Sequence, residues 1–185
     1  DFDSLFVPFR CVASNIVKKE SVIFKNGKLN EAVRASITYP FLINPIRVND
    51  ELLFDGGLYN NFPSDIMYSD FDPDYIIGSN VSGNAILPTE DDLISQLTNM
   101  LVSHTNFELP CDDGIIINPK TDVKAFGFSE VKNAINDGYK STIKYLDSIE
   151  LHVQRRVSVE ELEQRRLTFK NGVLPVKINS INVTA

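Results

Sequence analysis

The sequence predicts an α/β fold in which a mainly parallel sheet is covered by helices on both faces. Short apolar runs rich in β-branched residues alternate with longer segments whose apolar residues recur at helical spacing. Two of the runs, residues 75–77 and 115–117, do not alternate with polar residues, which is typical of central strands buried on both faces. No apolar run approaches the ~20 residues of a membrane span.

The first third of the chain predicts short strands and one helix. Asn30 is a candidate N-cap for a helix that continues to Ser36, because Pro40 prevents it from running on. Asn49 and Asp50 form a predicted turn between two strands of a hairpin. The strands predicted here are residues 5–13, 21–24, 46–48 and 52–54.

Two amphipathic helices are predicted further along the chain. Residues 89–92 resemble a capping box, and Ser129 begins the second helix. Both apolar stripes are predicted to face the core. The first stripe is Leu93, Ile94, Leu97, Met100 and Leu101, and the second is Val131, Ala134, Ile135, Tyr139, Ile143 and Leu146.

The composition changes after residue 150, so residues 1–150 and 151–185 are predicted to be separate parts. A short helix is expected from Ser158 to the stop at Asn171 and Gly172. Its charges of mixed sign predict a solvated face. They are Arg155, Arg156, Glu160, Glu161, Glu163, Arg165 and Arg166. The alternating residues Val176, Ile178, Ile181 and Val183 then predict a single strand.

The stretch that points to chemistry places a carboxylate, Asp55, directly after the apolar residues 52–54. In open α/β sheets ligands bind just beyond the carboxyl ends of strands, so Asp55 is a candidate reactive acid. Gly56 and Gly57 can adopt positive φ and allow a backbone or a substrate to approach closely, and Pro63 suits the first turn of a following helix. The alternative is a surface turn, because Asp-Gly is a common hairpin signal.

The pattern D-G-G-L-x-N-N-x-P at residues 55–63 resembles the second catalytic block of the patatin-like phospholipases. Residues 9–14 and 32–37 resemble the blocks that precede it in that family, in the same order. The resemblance implies that residues 1–150 are the C-terminal part of a patatin-like hydrolase domain, a partial three-layer sandwich. It also implies a serine and aspartate dyad that hydrolyses fatty-acyl esters, with Asp55 as the catalytic acid and Gly56 and Gly57 shaping its turn.

The nucleophile elbow G-x-S-x-G of that family does not occur in the 185 residues, and neither does its glycine-rich oxyanion turn. Residues 78–83 contain glycine and serine at the wrong spacing. We therefore expect the chain to be a fragment that lacks the nucleophile half and is inactive alone. A lipid or another fatty-acyl ester is the expected substrate of the full-length protein, with its binding residues unassigned.

Two other functions remain open. A Ser-His-Asp esterase would use Asp55 with His104 or His152, in the chain order of the α/β-hydrolases. The other open function is that of a non-catalytic folding or interaction module of an outer-membrane protein.

Residues 158–185 resemble the junction between bacterial patatin domains and a POTRA-type domain. The resemblance implies a fused outer-membrane barrel and a parent protein of the cell envelope, with this chain a soluble piece. Two copies that associate would cover the core left open by missing strands.

Composition limits the partners. A net charge of -7 disfavours nucleic acid, whose phosphates attract a basic face. No metal is predicted, because residues 70–81 lack the glycine and the bidentate glutamate of a calcium loop, and no cofactor motif is present. Cys11 and Cys111 are predicted to be free thiols.

Overall fold

The computed structural model describes residues 1–84, 88–123, 127–153 and 156–173, and for Ile94 the backbone only. It divides into two compact units, residues 1–152 and 153–185. The strands are β1 (Cys11–Asn15), β2 (Glu20–Phe24), β3 (Ile46–Val48), β4 (Glu51–Asp55), β5 (Ile76–Ser79) and β6 (Gly114–Ile117). The helices are α1 (Leu29–Ser36), α2 (Ser64–Phe71), α3 (Leu93–Leu101), α4 (Val131–Ile143), α5 (Leu146–His152) and α6 (Val159–Gly172).

The α/β class predicted from the sequence is confirmed, and the predicted parallel pairing occurs between β5 and β6. The larger sheet has the order β2-β1-β4-β3, and all its neighbouring strands are antiparallel. Short connections explain the antiparallel pairs β1–β2 and β3–β4, because tight turns can join only antiparallel strands, whereas β1 and β4 pair across about forty residues. The predicted turn between β3 and β4 is confirmed: Asn49 and Asp50 both have positive φ, 49° and 65°, as a type I′ turn requires.

The core of the first unit lies where α1 packs on the larger sheet. Every residue of β1 is buried. Ala13 of β1, Ala35 of α1 and Leu53 of β4 form one buried cluster, and all are at most 1% exposed. Small side chains on α1 and β1 let helix and sheet approach closely, and burial of Leu53 contributes about 1.5–3 kcal/mol. This packing fixes the position of the C-terminal end of β4 relative to α1 and β1.

Two boundaries near the N-terminus differ from the sequence prediction. The strand predicted over residues 5–13 begins only at Cys11, because Phe9 donates its N–H to the Phe2 carbonyl and holds the chain in a turn. Helix α1 begins at Leu29 with Lys28 as its N-cap, so Asn30 lies inside the first turn. The Lys28 carbonyl accepts the first helical hydrogen bond and thereby places the cap two residues earlier.

Several faces predicted to be buried are exposed. In β5 the burial alternates, with Ile76 buried and Ile77 52% exposed, so this strand is covered on one face only within the described chain. The apolar stripes of α3 and α4 are also largely solvent-facing, which contradicts their prediction as core faces. The exposed members are Leu93, Leu97, Met100, Val131, Ile135, Tyr139, Ile143 and Leu146. Helical periodicity identified both helices, but it does not show whether a layer covers the stripe.

The second unit contains α6 with the predicted start. Ser158 is its N-cap, and the Ser158 hydroxyl accepts a 3.1 Å hydrogen bond from the backbone N–H of Glu161. Glu161 also pairs with Arg165 at 2.5 Å, one turn further on. The helix ends at Gly172, as predicted. Arg155 and the strand predicted over residues 176–183 lie outside the described residues.

Candidate active site at the end of strand β4

The backbone of Asp55 is fixed on two sides. Asp55 is the last residue of β4 and pairs with Ala13 of the fully buried strand β1. Its N–H donates to the Thr38 carbonyl at 2.9 Å. Thr38 is itself fully buried, and its hydroxyl is 2.6 Å from an Arg34 Nη1 donor and 2.7 Å from the Arg34 carbonyl. The strand end that carries the carboxylate is therefore rigidly placed.

The Asp55 carboxylate lies at the start of a single 3-10 turn, residues Gly56–Leu58. Its Oδ1 accepts a hydrogen bond of 2.8 Å from the Gly57 N–H. Burial raises the pKa of Asp55 above its ordinary value, and the Gly57 N–H opposes this by stabilising the charged form. A carboxylate with a raised pKa is a better proton acceptor than a solvated one, and a pKa nearer to the operating pH suits a group that must both take and return a proton.

Gly56 is required by space, and neither Gly56 nor Gly57 has the positive φ that the sequence suggested. Among the described glycines, Gly27 alone has positive φ. A Cβ on Gly56 would lie 2.4 Å from the Val12 carbonyl oxygen, and a Cβ on Gly57 would lie 3.0 Å from Asp55 Oδ1. The first contact is with the backbone of β1, so the turn can approach the sheet only without a side chain.

Two clefts meet at Asp55. One, of about 490 Å³, lies between the N-terminal end of β1 and helix α2. The other, of about 310 Å³, lies between the segment that follows α1 and helix α3. Asp55, Gly57 and Asn61 line both clefts. The carboxylate is therefore at a concave surface and is accessible from two directions.

The first cleft carries one basic side chain, and its charge is paired. Arg10 donates from Nε to Asp70 and from Nη1 to Asp3, both at 2.6 Å, and its guanidinium lies 4.6 Å from the Phe71 ring centre. Lys25 also binds Asp70, and together Lys25 and Arg10 hold the pKa of Asp70 below its ordinary value. Arg10 thus ties the start of β1 to α2, and its charge is already balanced by two carboxylates.

Apart from Asp55, the second cleft is lined by uncharged and mostly apolar residues. Residues 36–46 and 93–103, which flank it, contain no Asp, Glu, Lys or Arg. Its lining includes Tyr39, Phe41, Leu58, Leu101 and Val102. Phe41 is 76% exposed at the outer edge. Such walls suit an uncharged hydrocarbon better than a polar ligand.

Neither histidine is placed to form a triad with Asp55. His104 Nε2 is 3.0 Å from Asn84 Nδ2, and His104 lines a different cleft. His152 Nδ1 is 2.8 Å from the Ser148 carbonyl, and its ring stacks on Tyr75 at 4.0 Å. A triad requires a ring nitrogen within hydrogen-bond reach of the acid, whereas both rings are engaged with other groups.

Serine hydroxyls of the described chain lie near this region at Ser14, Ser36 and Ser82. Ser14 is fully buried, and its hydroxyl donates to the Gly56 carbonyl at 3.4 Å. The Ser82 hydroxyl accepts a 2.8 Å hydrogen bond from Asn61 Nδ2. Ser36 lines the first cleft near the Cys11 thiol, whose pKa is raised by burial more than Ser36 lowers it. None of the three serines has the strained strand-to-helix turn of a nucleophile elbow.

Comparison with known proteins agrees with the part of the chain that builds this site. Residues 2–68 match the family model of the patatin-like phospholipases. That segment contains β1, α1, β4, Asp55 and Asn61.

Several curated mycobacterial proteins are similar to segments of this chain. An uncharacterized NTE family protein of Mycobacterium tuberculosis is 40% identical over 68 residues, which is 37% of this chain and 12% of that protein. A second one from the same species is 30% identical over 107 residues, 56% of this chain and 29% of that protein. Mycobacterium bovis has counterparts of both with the same identities. The chain spans less than a third of the length of these relatives.

The sequence suggests that the amides of Asn60 and Asn61 could fix the turn or its carboxylate and favours a structural role for both, and the structure places Asn61 beside Asp55. The adjacent Asn60 donates instead to Asp65 at 3.0 Å. The paired asparagines after the glycines were a signal, but which of them turns inward depends on the 3-10 turn, which no periodicity reveals.

Both cysteines are free thiols, with Cys11 buried and Cys111 half-buried. Across the part of the chain that the structure describes, no three acidic, His or Cys side chains are grouped to bind a metal ion, and no helix could cross a bilayer.

Proposed function

We propose that residues 1–152 carry the acid component of a lipid acyl hydrolase, in which Asp55 accepts the proton of a serine supplied by polypeptide outside these 185 residues. The observation that carries the proposal is the half-buried Asp55 carboxylate at the end of β4, open to two clefts. The match of residues 2–68 to the patatin-like phospholipases supports it, because Asp55 lies inside the matched segment.

The proposed reaction has two steps. In the first, Asp55 takes the serine hydroxyl proton as the serine oxygen attacks the ester carbonyl carbon, and the proton then passes to the departing alcohol. In the second, Asp55 takes a proton from water, the water oxygen attacks the acyl-serine carbonyl, and the serine recovers the proton. The raised pKa of Asp55 assists both transfers of a proton to Asp55, since a strongly acidic carboxyl would hold the proton too weakly.

The substrate class follows from the walls of the second cleft. A fatty-acyl chain is uncharged and apolar, and residues 36–46 and 93–103 contain no Asp, Glu, Lys or Arg. In the proposed complex the fatty-acyl chain of the substrate lies against Tyr39, Phe41 and Leu101, and its ester group reaches Asp55 at the inner end of the second cleft. The donors that stabilise the oxyanion come, in this proposal, from the same outside polypeptide as the serine, because residues 1–185 contain no glycine-rich oxyanion turn.

The place of this chain in a larger envelope protein remains a prediction. It rests on the loose resemblance of residues 158–185 to the start of a POTRA-type domain, and residues 174–185 lie outside the described part. A homo-oligomer that covers the exposed stripes of α3 and α4 is a further prediction, which the mass in solution would test.

The experiment compares the 185-residue chain with a longer natural protein that contains it, using short-chain and long-chain p-nitrophenyl esters. We expect no turnover by the chain alone and turnover by the longer protein. Asp55→Asn in the longer protein should reduce kcat at least about 100-fold, the range of a lost general base. Asp65→Asn is the matched control, because Asp65 lies in another cleft and bonds Asn60. Turnover that survives Asp55→Asn would refute the proposal.

A further inference from the structure

Asn61 is the polar side chain that shares the junction of the two clefts with Asp55. A Cβ on Gly57 would be 2.8 Å from Asn61 Oδ1 and 3.0 Å from Asp55 Oδ1, so both oxygens face the same side of Gly57. No other polar side chain lines both clefts within the described residues. An amide oxygen and a carboxylate oxygen therefore lie close together on one side of Gly57, where they leave no room for a Cβ, and both residues border the junction of the two clefts.

The orientation of the Asn61 amide is fixed from outside the site. Its Nδ2 donates to the Ser82 hydroxyl at 2.8 Å, and the Asn61 backbone N–H donates to the Thr105 hydroxyl at 3.4 Å. Ser82 is in turn held by its N–H, which donates to Asn80 Oδ1 at 3.1 Å. With Nδ2 engaged, Oδ1 is the group presented to Asp55, and it is an acceptor only.

Two acceptors that face one space select a ligand with two hydrogens to donate. An ionised carboxylate and an amide oxygen repel each other's lone pairs, so the space favours a bridging donor. A water molecule can donate one hydrogen to each oxygen and still present its lone pairs to a third group. An alcohol hydroxyl has a single hydrogen and can satisfy only one of the two oxygens.

We propose that Asn61 and Asp55 together bind the water that hydrolyses the acyl-enzyme, with Asn61 as a positioning residue. This inference rests on the function proposed above. In the step, the water donates one hydrogen to Asn61 Oδ1 and gives the other proton to Asp55. The water oxygen forms a bond to the acyl carbon, the bond from that carbon to the serine oxygen breaks, and the serine oxygen takes the proton from Asp55. Asn61 neither gains nor loses a proton.

The test measures how the acyl-enzyme divides between water and methanol. The longer protein is incubated with a p-nitrophenyl ester in dilute methanol, and the ratio of free acid to methyl ester is determined. Asn61→Leu removes the accepting oxygen and keeps a similar volume, so the ratio of acid to methyl ester should fall about fivefold to tenfold, the effect of one lost hydrogen bond. A purely structural role would lower both products together and leave the ratio unchanged.

Two further variants define the result. Asn61→Gln keeps an uncharged acceptor oxygen and an N–H donor for Ser82, so its ratio should stay nearer to that of the wild type than the ratio of Asn61→Leu does. Asn60→Ala is the matched control at the neighbouring residue, and its ratio should equal that of the wild type. An unchanged ratio in Asn61→Leu overturns the water site, and so does a ratio in Asn61→Gln as low as that in Asn61→Leu.

The same measurements separate this inference from the function on which it rests. If the wild type has no turnover, or if turnover survives Asp55→Asn, the proposed function fails and the water site fails with it. If turnover depends on Asp55 while Asn61→Leu partitions like the wild type, only the role of Asn61 is refuted.

Discussion

Replacement of Gly56 by alanine probes the close approach that brings Asp55 to the sheet. A Cβ on Gly56 would lie 2.4 Å from the Val12 carbonyl oxygen and 2.8 Å from the Val12 carbonyl carbon. Both are backbone atoms of β1, which pairs with β2 and β4, so they cannot move aside as a flexible side chain could. Either the 3-10 turn or the sheet has to shift.

Overpacking of this kind costs about 1–3 kcal/mol, and a contact with backbone in a fully buried strand should lie at the upper end. For a domain of this size, such a loss lowers the Tm by roughly 4–10 °C. Gly138→Ala is the matched control, because a Cβ there meets nothing within 4 Å and Gly138 lies inside helix α4. Alanine should stabilise that helix by up to ~1 kcal/mol.

Urea denaturation followed by circular dichroism measures both variants in the 185-residue chain. The expected order of stability is Gly138→Ala above the wild type and Gly56→Ala below it. A Gly56→Ala chain with the wild-type midpoint would refute the close packing of the turn on β1, and with it the placement of Asp55. Equal losses in both variants would show that glycine is required for backbone freedom, and that space is not the reason.

Three further predictions concern charge and capping. Asp55→Asn should raise the Tm at pH 7, because the raised pKa of Asp55 means that ionisation costs folded-state stability as pH rises; the gain should disappear below pH ~4, where the carboxyl is protonated in both states. Asp70→Asn should lower the Tm at pH 7, because a lowered pKa contributes stability above the unfolded value that is lost as pH falls through the folded pKa; equal pH profiles for the two variants would contradict both predictions. Ser158→Ala should cost α6 about 1 kcal/mol and reduce the helicity of a peptide spanning residues 156–173, whereas Ser158→Asp should not; unchanged helicity in the alanine peptide would show that the hydroxyl does not cap.

Features that depend on local chemistry could be predicted from the sequence. The Asn49-Asp50 turn, the start of α6 at Ser158 and the two parallel apolar strands follow from turn, cap and β-branched residues over a few positions. Asp55 could be located as well, because a carboxylate after an apolar run and before two glycines is a local pattern.

Features that depend on distant parts of the chain could not be predicted. The antiparallel arrangement of the larger sheet depends on how β1 pairs with β4, about forty residues away. The exposure of Ile135 and Tyr139 depends on which layers cover α4, and helical spacing carries no such information. The inward position of Asn61 depends on the 3-10 turn and on Ser82 and Thr105, which come from later in the chain.

The most direct test of the account is the pKa of Asp55 itself. It can be measured in the 185-residue chain by carbon-detected NMR of the side-chain carboxyl across a pH titration. Since burial outweighs the hydrogen bond from Gly57, the account predicts a midpoint above the ordinary ~3.9 of aspartate. A midpoint at or below that value would show that burial does not outweigh the hydrogen bond from Gly57, and it would contradict the role of Asp55 as a proton acceptor.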